Sequence, residues 1–221
     1  MTPYKYSLKK TITFLIILIS FPLWAQIGIL KDMPFKSGEK ITYSAIYKWG
    51  LIELDAGRVE FSVDSLVKDQ QAAYLFKSTG ISMPKYDWIY KVRDTFYSYA
   101  LVKNLQPIYY ERHTSEGDYK VQNRSFFHKE SERIILHLNN SDDGFRTKNI
   151  KWKKGLFDLQ TAVYYARMLD AEKAQIGDTY DIDVIIDGEV FVITILYEGK
   201  EDITLSNKKT LVGKVRAELL E

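Results

Sequence analysis

The sequence predicts a mainly β protein in which a curved antiparallel sheet, a half-barrel or open barrel, wraps on one main helix. Many short runs alternate apolar and polar residues, as half-buried strands do. Turn residues separate these runs at short intervals with no helices between them, which favours antiparallel pairing. The chain also holds 16 Tyr and 11 Phe among 221 residues, and aromatic residues favour strands.

The strands follow one another along most of the chain. In the first, Tyr43, Ala45 and Tyr47 share one face while Thr42 and Ser44 lie on the other. The remaining runs show the same period of two. The predicted strands are residues 41–49, 58–64, 72–79, 90–98, 108–114, 119–128, 133–138, 182–186 and 190–197. The last two form a hairpin, because the Asp187-Gly188 pair that joins them tolerates positive φ.

One segment, residues 157–170, has helical rather than strand periodicity. Its apolar residues recur at intervals of three and four, and Asp158 stands where a helix N-cap is favourable. Tyr164, Tyr165 and Met168 extend the apolar surface beyond a single stripe. A helix that is apolar on more than one side is buried on more than one side. We therefore expect it to lie within the concave side of the curved sheet.

The amino terminus has the three-part pattern of a signal peptide. Lys5, Lys9 and Lys10 precede an uncharged apolar run at 12–24, and Ala25 follows as a small residue. That run is shorter than the roughly 20 residues of a membrane-spanning helix. The sequence thus predicts a cleaved signal peptide at 1–25, a single β-rich domain at 26–221, and a periplasmic or secreted location. No transmembrane span is expected after cleavage.

Composition excludes several classes of protein. The formal net charge is +2, and removal of three lysines with the signal peptide gives +2 − 3 = −1. Clustered basic residues, which nucleic-acid binding requires, are lacking. The chain has no cysteine, which rules out disulfides and thiolate metal sites. The three histidines are not spaced as a local metal site would prefer, so neither a metal nor a cofactor is predicted.

No catalytic residue is predicted either. The sequence contains no Gly-x-Ser-x-Gly elbow, no phosphate-binding glycine loop and no His-Glu-x-x-His motif. Glu111 and Glu116 are candidate paired carboxylates only in the generic sense that two distant acids can meet in a hydrolase. The sequence favours a protein that is not an enzyme, with a hydrolase as the third hypothesis.

Asp94 is an acid on an otherwise apolar strand face, which it shares with Val92 and Phe96. A buried charge needs a partner, since leaving it unpaired is very costly. Arg112, on the corresponding face of another strand, and Arg167, on the helix, are the candidate partners. Two interpretations stay open: a buried ion pair that fixes the helix against the sheet, or a polar anchor for a ligand headgroup.

Short motifs spread along the chain carry a resemblance to a known family. They are Phe35-Lys36-Ser37-Gly38-Glu39, Tyr86-Asp87-Trp88, Val92-Arg93-Asp94, Leu105 with Pro107, Tyr110-Glu111-Arg112, Glu116-Gly117 with Tyr119, Phe157-Asp158 through Ala162, Tyr164-Tyr165 and Arg167, Asp187-Gly188-Glu189, and Gly199-Lys200-Glu201. Together they resemble the domain-of-unknown-function 3108 family of exported bacterial proteins, in the form common in Bacteroidetes. The resemblance implies an exported, sheet-dominated domain, with a curled sheet like those of periplasmic lipoprotein carriers, and no assigned activity.

The chain departs from that family near its end. Relatives continue after the Gly199-Lys200-Glu201 region with several more strands, and then reach a closing segment similar to Leu211-Val212-Gly213-Lys214-Val215. Here only residues 202–210 lie between the two. The resemblance therefore implies an internally shortened domain that lacks C-terminal strands, which leaves the closure of its sheet in question.

The leading hypothesis is an exported cell-envelope protein that binds a lipid-like or amphipathic molecule in a groove between sheet and helix. The candidate ligand-binding residues are Trp88, Asp94, Arg112, Tyr164, Tyr165 and Arg167. In this hypothesis the tyrosines supply the apolar wall, and an arginine meets an anionic headgroup. The alternative is a structural or interaction component that joins an envelope assembly, with another envelope protein as its partner, through a sheet edge.

Overall fold

The computed structural model describes residues 29, 31–49, 52–205 and 208–220, so the predicted signal peptide at 1–25 lies outside the described residues. Eight consecutive strands form one antiparallel sheet in which each strand pairs with the next along the chain. They are β1 (Lys40–Trp49), β2 (Ile52–Lys68), β3 (Gln71–Ser82), β4 (Arg93–Leu101), β5 (Pro107–Glu116), β6 (Tyr119–His128), β7 (Arg133–Asn140) and β8 (Gly144–Lys151). A short 3-10 helix, Pro84–Tyr86, interrupts the connection from β3 to β4.

Four further strands form a second, smaller sheet. They are β9 (Leu156–Asp158), β10 (Thr179–Ile186), β11 (Glu189–Leu205) and β12 (Lys208–Leu220), in the order β12-β11-β10-β9. Only the pairing of β9 with β10 is parallel. The predicted mainly β class with antiparallel pairing is confirmed, and the large sheet is not closed into a barrel. The second sheet was not predicted.

The structure bears out most of the predicted strands to within a few residues. The Asp187-Gly188 hairpin joins β10 and β11 as expected, and Asp187 has φ 47°. Three strands were missed, β8, β9 and β12, and each lies at the edge of its sheet. The residues of β8 and β12 are mostly exposed, and backbone pairing with β7 and β11 defines these two strands. β9 has only three residues and directly precedes the helix, so its last two residues were assigned to the helix.

The one α-helix among the described residues, α1 (Leu159–Ala166), is shorter than the predicted 157–170. Phe157 and Asp158 belong to β9, where Asp158 has extended backbone and caps the helix by accepting a hydrogen bond from Thr161 N at 2.8 Å. At the other end, Met168 N and Leu169 N donate to carbonyls three residues earlier, which tightens and ends the helix. The predicted N-cap is therefore right and the predicted length is wrong.

The main core lies between the large sheet, α1 and the second sheet. Phe76 of β3 is fully buried, and its ring stacks on that of Tyr164 with 4.0 Å between centroids. Phe35 packs edge-on against both rings. Ile195 and Tyr197 of β11 close this cluster from the second sheet. The helix is thus buried on more than one side, as its sequence predicted. The helix does not cover the large sheet alone, because the second sheet also packs against it.

Within the described residues, no helix has the length and apolar character needed to cross a membrane.

Candidate functional site: an apolar groove at one end of the large sheet

An apolar groove of about 750 Å³ lies at one end of the large sheet. The helix contacts this face as far as Ser78, whose hydroxyl donates to Gln160 Oε1 at 2.9 Å. Gly80, two residues further along β3 on the same face, already lines the groove. The groove is therefore the part of this face that α1 does not cover. Its lining residues are Ala45, Tyr47, Leu54, Ala56, Gly57, Arg58, Val59, Gly80, Ile81, Ser82, Tyr86, Ile89, Tyr90, Val92 and Asp94.

Small residues form its floor. Ala45, Gly57 and Ser82 are directly paired across β1, β2 and β3, and Val59 and Gly80 are paired in the adjacent row. A side chain at Gly57 would place its Cβ 2.7 Å from the carbonyl oxygen of Ile81, so only glycine fits there. A Cβ at Gly80 would meet nothing closer than 3.7 Å. The empty space above Gly80 therefore belongs to the groove.

The connection of residues 83–92 forms one wall. A bulge in β2 leaves the carbonyl of Ala56 free to accept from Met83 N at 2.8 Å, which anchors the start of the connection. Ser82 closes the loop: its amide donates to Val92 O at 3.1 Å, and its hydroxyl accepts from Val92 N at 2.9 Å. The Ser82 hydroxyl also donates to Asp87. The loop thereby holds Ile89 and Tyr90, both more than half exposed, against the groove.

An ion pair ties the same loop to β4. Arg93 binds the carboxylate of Asp87 and donates to Ser82 Oγ at 2.9 Å. Two hydrogen bonds lower the pKa of Asp87 below its usual range: the one from Ser82, which has the larger effect, and the one from Arg93. The carboxylate therefore stays ionised at neutral pH, and the ion pair between Asp87 and Arg93 continues to tie the loop to β4.

We expect Ser82→Ala to loosen this wall selectively. The change leaves Val92 N and Asp87 without their hydroxyl partner, and an unmade hydrogen bond of a largely buried group costs about 1–3 kcal/mol. Amide hydrogen exchange of residues 83–92, followed by mass spectrometry, should become about tenfold or more faster. Ser44→Ala, at an exposed position of β1, is the control. Unchanged exchange in residues 83–92 would show that the Ser82 hydroxyl does not hold the loop.

Asp94 is the main polar group inside the groove. Its Oδ1 accepts from the backbone amide of Ser115 at 3.2 Å, and Gly80 stands opposite it on β3. Burial raises the pKa of Asp94, and the neighbouring negative charge of Glu116 raises it further. Arg58 also lines the groove, but its side chain is exposed. The groove thus combines an apolar surface with one half-buried carboxylate.

The predicted ion pair of Asp94 with Arg112 or Arg167 is wrong. Arg112 Nη1 instead donates to both carboxylate oxygens of Asp187, at 2.9 and 3.0 Å, and so ties the β10–β11 turn to β5. Arg167 pairs with Glu39. The two arginines were on the expected faces, but each finds a closer acid from a segment distant in sequence.

Of the six predicted ligand-binding residues, the structure brings only Trp88 and Asp94 to the groove region. Trp88 lies in the 83–92 loop with 82% of its surface exposed, and its indole donates to Lys85 O at 3.0 Å. Tyr164 is only 2% exposed, and Tyr165 donates to or accepts from the hydroxyl of Tyr180 at 3.0 Å. Because these tyrosines fill the space between helix and sheet, the open groove lies beyond the helix and not between helix and sheet as predicted.

The described residues contain no group of three acids or histidines placed to hold a metal ion. Glu111 binds His113, Arg124 and the hydroxyl of Tyr109 at 2.8–2.9 Å. This network lies on the opposite face of β5 from Arg112. Its hydrogen bonds give Glu111 a structural role. Glu111 and Glu116 are not joined in a carboxylate pair, since Glu116 neighbours Asp94 instead.

Comparison with known proteins adds the family. The family model described as protein of unknown function (DUF3108) matches residues 42–219. The chain belongs to this family. The predicted family is thereby confirmed, and the match spans β1 to β12, so the groove lies inside the family domain. No curated protein and no solved structure matches the chain.

Most residues that line the groove were not predicted from the sequence, although two glycines within predicted strands pointed to it. Gly57 and Gly80 stand inside strand patterns, where glycine often marks a bulge or a close approach of another group. Both features occur, since β2 has its bulge at Ala56, beside Gly57. The apolar residues of the 83–92 loop gave no such signal, because exposed single apolar residues are common on protein surfaces.

Proposed function

We propose that the protein is an exported, non-enzymatic binding protein of the cell envelope that holds a lipid-like or amphipathic molecule in the groove at the end of the large sheet. The observation that carries this proposal is the groove itself. It has an apolar lining, few polar groups and a volume within the range of small-molecule sites, about 300–1,000 Å³.

The exposed apolar residues around the groove support the same function. Tyr47 is 60% exposed and Ile89 is 63% exposed, and both line the groove. Contiguous apolar surface of this kind is costly in water unless something covers it for part of the protein's life. The apolar body of an amphipathic ligand would cover these side chains while its polar end stays near Asp94 or the solvent.

The experiment uses Gly80→Leu to fill the groove. Its Cβ has room, and the side chain would project over the floor where ligand is expected. Titration of the purified protein with a fluorescent fatty acid and a fluorescent fatty amine should show saturable binding in the wild type. The variant should bind at least about tenfold more weakly because the same volume is occupied.

Thr79→Leu is the matched control, because Thr79 precedes Gly80 on β3 and projects from the opposite face. The control should bind as the wild type does. If folded Gly80→Leu bound both probes with unchanged affinity, the groove would not be the site. If the wild type bound neither probe, the proposed carrier function would be wrong.

Export is tested separately: amino-terminal sequencing of the envelope-located protein should begin at or near Gln26.

A second candidate function is a component of an envelope assembly, which the edge strand β12 favours. One face of β12 carries three apolar residues that are each about half exposed or more: Leu211, Val215 and Leu219. β12 is also the edge strand of its sheet. Such an edge can accept a strand from another protein. A native complex that dissociates when Val215 is changed to proline, with ligand binding unaffected, would favour this function.

A further inference from the structure

The groove holds its one half-buried charge at Asp94, and the neighbouring residue on β3 leaves that charge open. Gly80 pairs with Asp94 across the β3–β4 ladder. Because Gly80 has no side chain, even an added Cβ would lie 4.0 Å from Asp94 Oδ2. A molecule lying on the groove floor can therefore reach the carboxylate directly.

Within the described part of the chain, Asp94 forms no salt bridge. Its Oδ1 accepts a 3.2 Å hydrogen bond from Ser115 N, and the side chain of Glu116 is close enough to share a hydrogen bond with it. Arg112 lowers the pKa of Asp94 through its charge but is paired with Asp187, Arg93 is paired with Asp87, and Arg58 is exposed at the rim. A half-buried carboxylate without a salt-bridge partner is an unusual feature, since removing a charge from water is costly unless it is paired.

Glu116 strengthens the negative potential at this position. Its backbone forms an isolated antiparallel bridge with Val92, one of the groove residues. No lysine, arginine or histidine of the described residues forms a salt bridge with Glu116. Burial raises the pKa of Asp94, and the charge of Glu116 adds to that rise. The neighbouring negative charge, and not the burial, is what would stabilise a positive charge placed beside Asp94.

Arg58 is the competing headgroup partner, and its position makes it the weaker one. It precedes Val59 on β2 and projects from the opposite face, with its side chain in water. Solvent-exposed charges contribute little to an ion pair, because water and salt screen them. The charge that would discriminate between headgroups is the one that the groove partly desolvates, Asp94.

We propose that the ligand is an amphipathic amine, whose apolar body lies along the groove and whose ammonium group pairs with Asp94. This inference rests on the proposed carrier function and adds the chemical class of the ligand. An ammonium group has three hydrogen-bond donors and no acceptor, which suits a carboxylate that already accepts one backbone amide. A carboxylate headgroup at the same place would instead meet Asp94 and Glu116 as like charges.

The test compares three molecules with the same twelve-carbon chain: dodecylamine, dodecanol and dodecanoic acid. Each displaces an apolar fluorescent probe from the full mature protein at neutral pH, below the concentration at which it forms micelles. We expect the amine to bind at least about tenfold more tightly than the alcohol, because charge-assisted hydrogen bonds are about twice as strong as neutral ones. The acid should be the weakest of the three.

Asp94→Asn should reduce the preference for the amine over the alcohol to about twofold or less. Asp64→Asn, at an exposed position of β2, makes the same change in net charge and is the control. Equal binding of alcohol and amine by the wild type, or an amine preference that survives Asp94→Asn, would overturn the amine inference and leave the carrier function standing. Failure of all three molecules to displace the probe would overturn both.

Discussion

Replacing Phe76 by alanine should lower the free energy of unfolding by about 3–5 kcal/mol, the usual range for a phenylalanine removed from a core. Phe76 has no exposed surface, and its ring stacks on Tyr164 and meets Phe35 edge-on at 5.5 Å. The substitution leaves a cavity where α1 docks on the large sheet. Denaturant unfolding of wild type and variant, with the slope of the transition compared, measures the loss.

Phe145→Ala is the control for that prediction. Phe145 lies on β8 with 67% of its surface exposed, so its removal should change the free energy of unfolding by no more than about 0.5 kcal/mol. A loss below about 1 kcal/mol for Phe76→Ala would mean that the helix does not pack against β3 as described. In that case the space between helix and sheet would again be a candidate ligand site.

The second large effect is expected from pH. Asp158 is fully buried at the N-cap of α1, where Thr161 N donates to Oδ1 at 2.8 Å and Ser98 Oγ donates to Oδ2 at 2.7 Å. Burial raises the pKa of Asp158 to about 6, although these hydrogen bonds oppose the rise. In the unfolded chain the same carboxyl has the ordinary value of 3.8. Between these two values the folded state binds the extra proton.

Stability must therefore fall as pH rises through this window. Below about pH 4 both states are protonated at Asp158, and the stabilising contribution is fully present. It is lost progressively up to about pH 6, by about 3 kcal/mol in total, because one pKa unit corresponds to about 1.4 kcal/mol. Other carboxyls whose pKa is lowered, such as Asp87 and Asp170, oppose this trend at the acid end.

Asp158→Asn isolates the effect of this one group. The asparagine oxygen can still accept from Thr161 N, and asparagine is a favourable N-cap residue. In the wild type the hydroxyls of Ser98 and Thr161 donate to the Asp158 carboxylate. In the variant the asparagine amide can instead donate to one of these hydroxyls. The difference in unfolding free energy between variant and wild type should grow in the variant's favour from pH 4 to pH 6. A difference that does not change with pH would show that Asp158 titrates at its ordinary value.

The sequence predicted those parts of the fold that depend on neighbours within a few residues. Alternation of apolar and polar residues marks β6 to the residue, and the Asp187-Gly188 turn marks the β10–β11 hairpin. The N-cap at Asp158 was also predicted, because capping is a local hydrogen bond. The family motifs were equally local, and the match of the family model to residues 42–219 confirms the family that they indicated.

Partners of charged groups could not be predicted in the same way. Arg112 and Asp187 are 75 residues apart, and Arg167 and Glu39 are 128 residues apart. The face on which each arginine lies follows from strand alternation, but the acid that reaches it depends on how the second sheet and the segment before β1 pack. The wrong pairing of Asp94 followed from this gap, since the strand pattern showed a need for a partner without showing which groups surround it.

The sequence by itself determined the β class, the order of most strands, the start of the helix and the family. Tertiary structure alone decided that the large sheet is only partly covered, and that the uncovered end, floored by Gly57 and Gly80, is the groove. The physical reason is that periodicity reports which side chains leave water within one strand. Whether a second layer reaches a given row of the sheet depends on contacts between segments far apart in the chain, and those contacts leave Asp94 in an apolar groove without a salt bridge to any of the described residues.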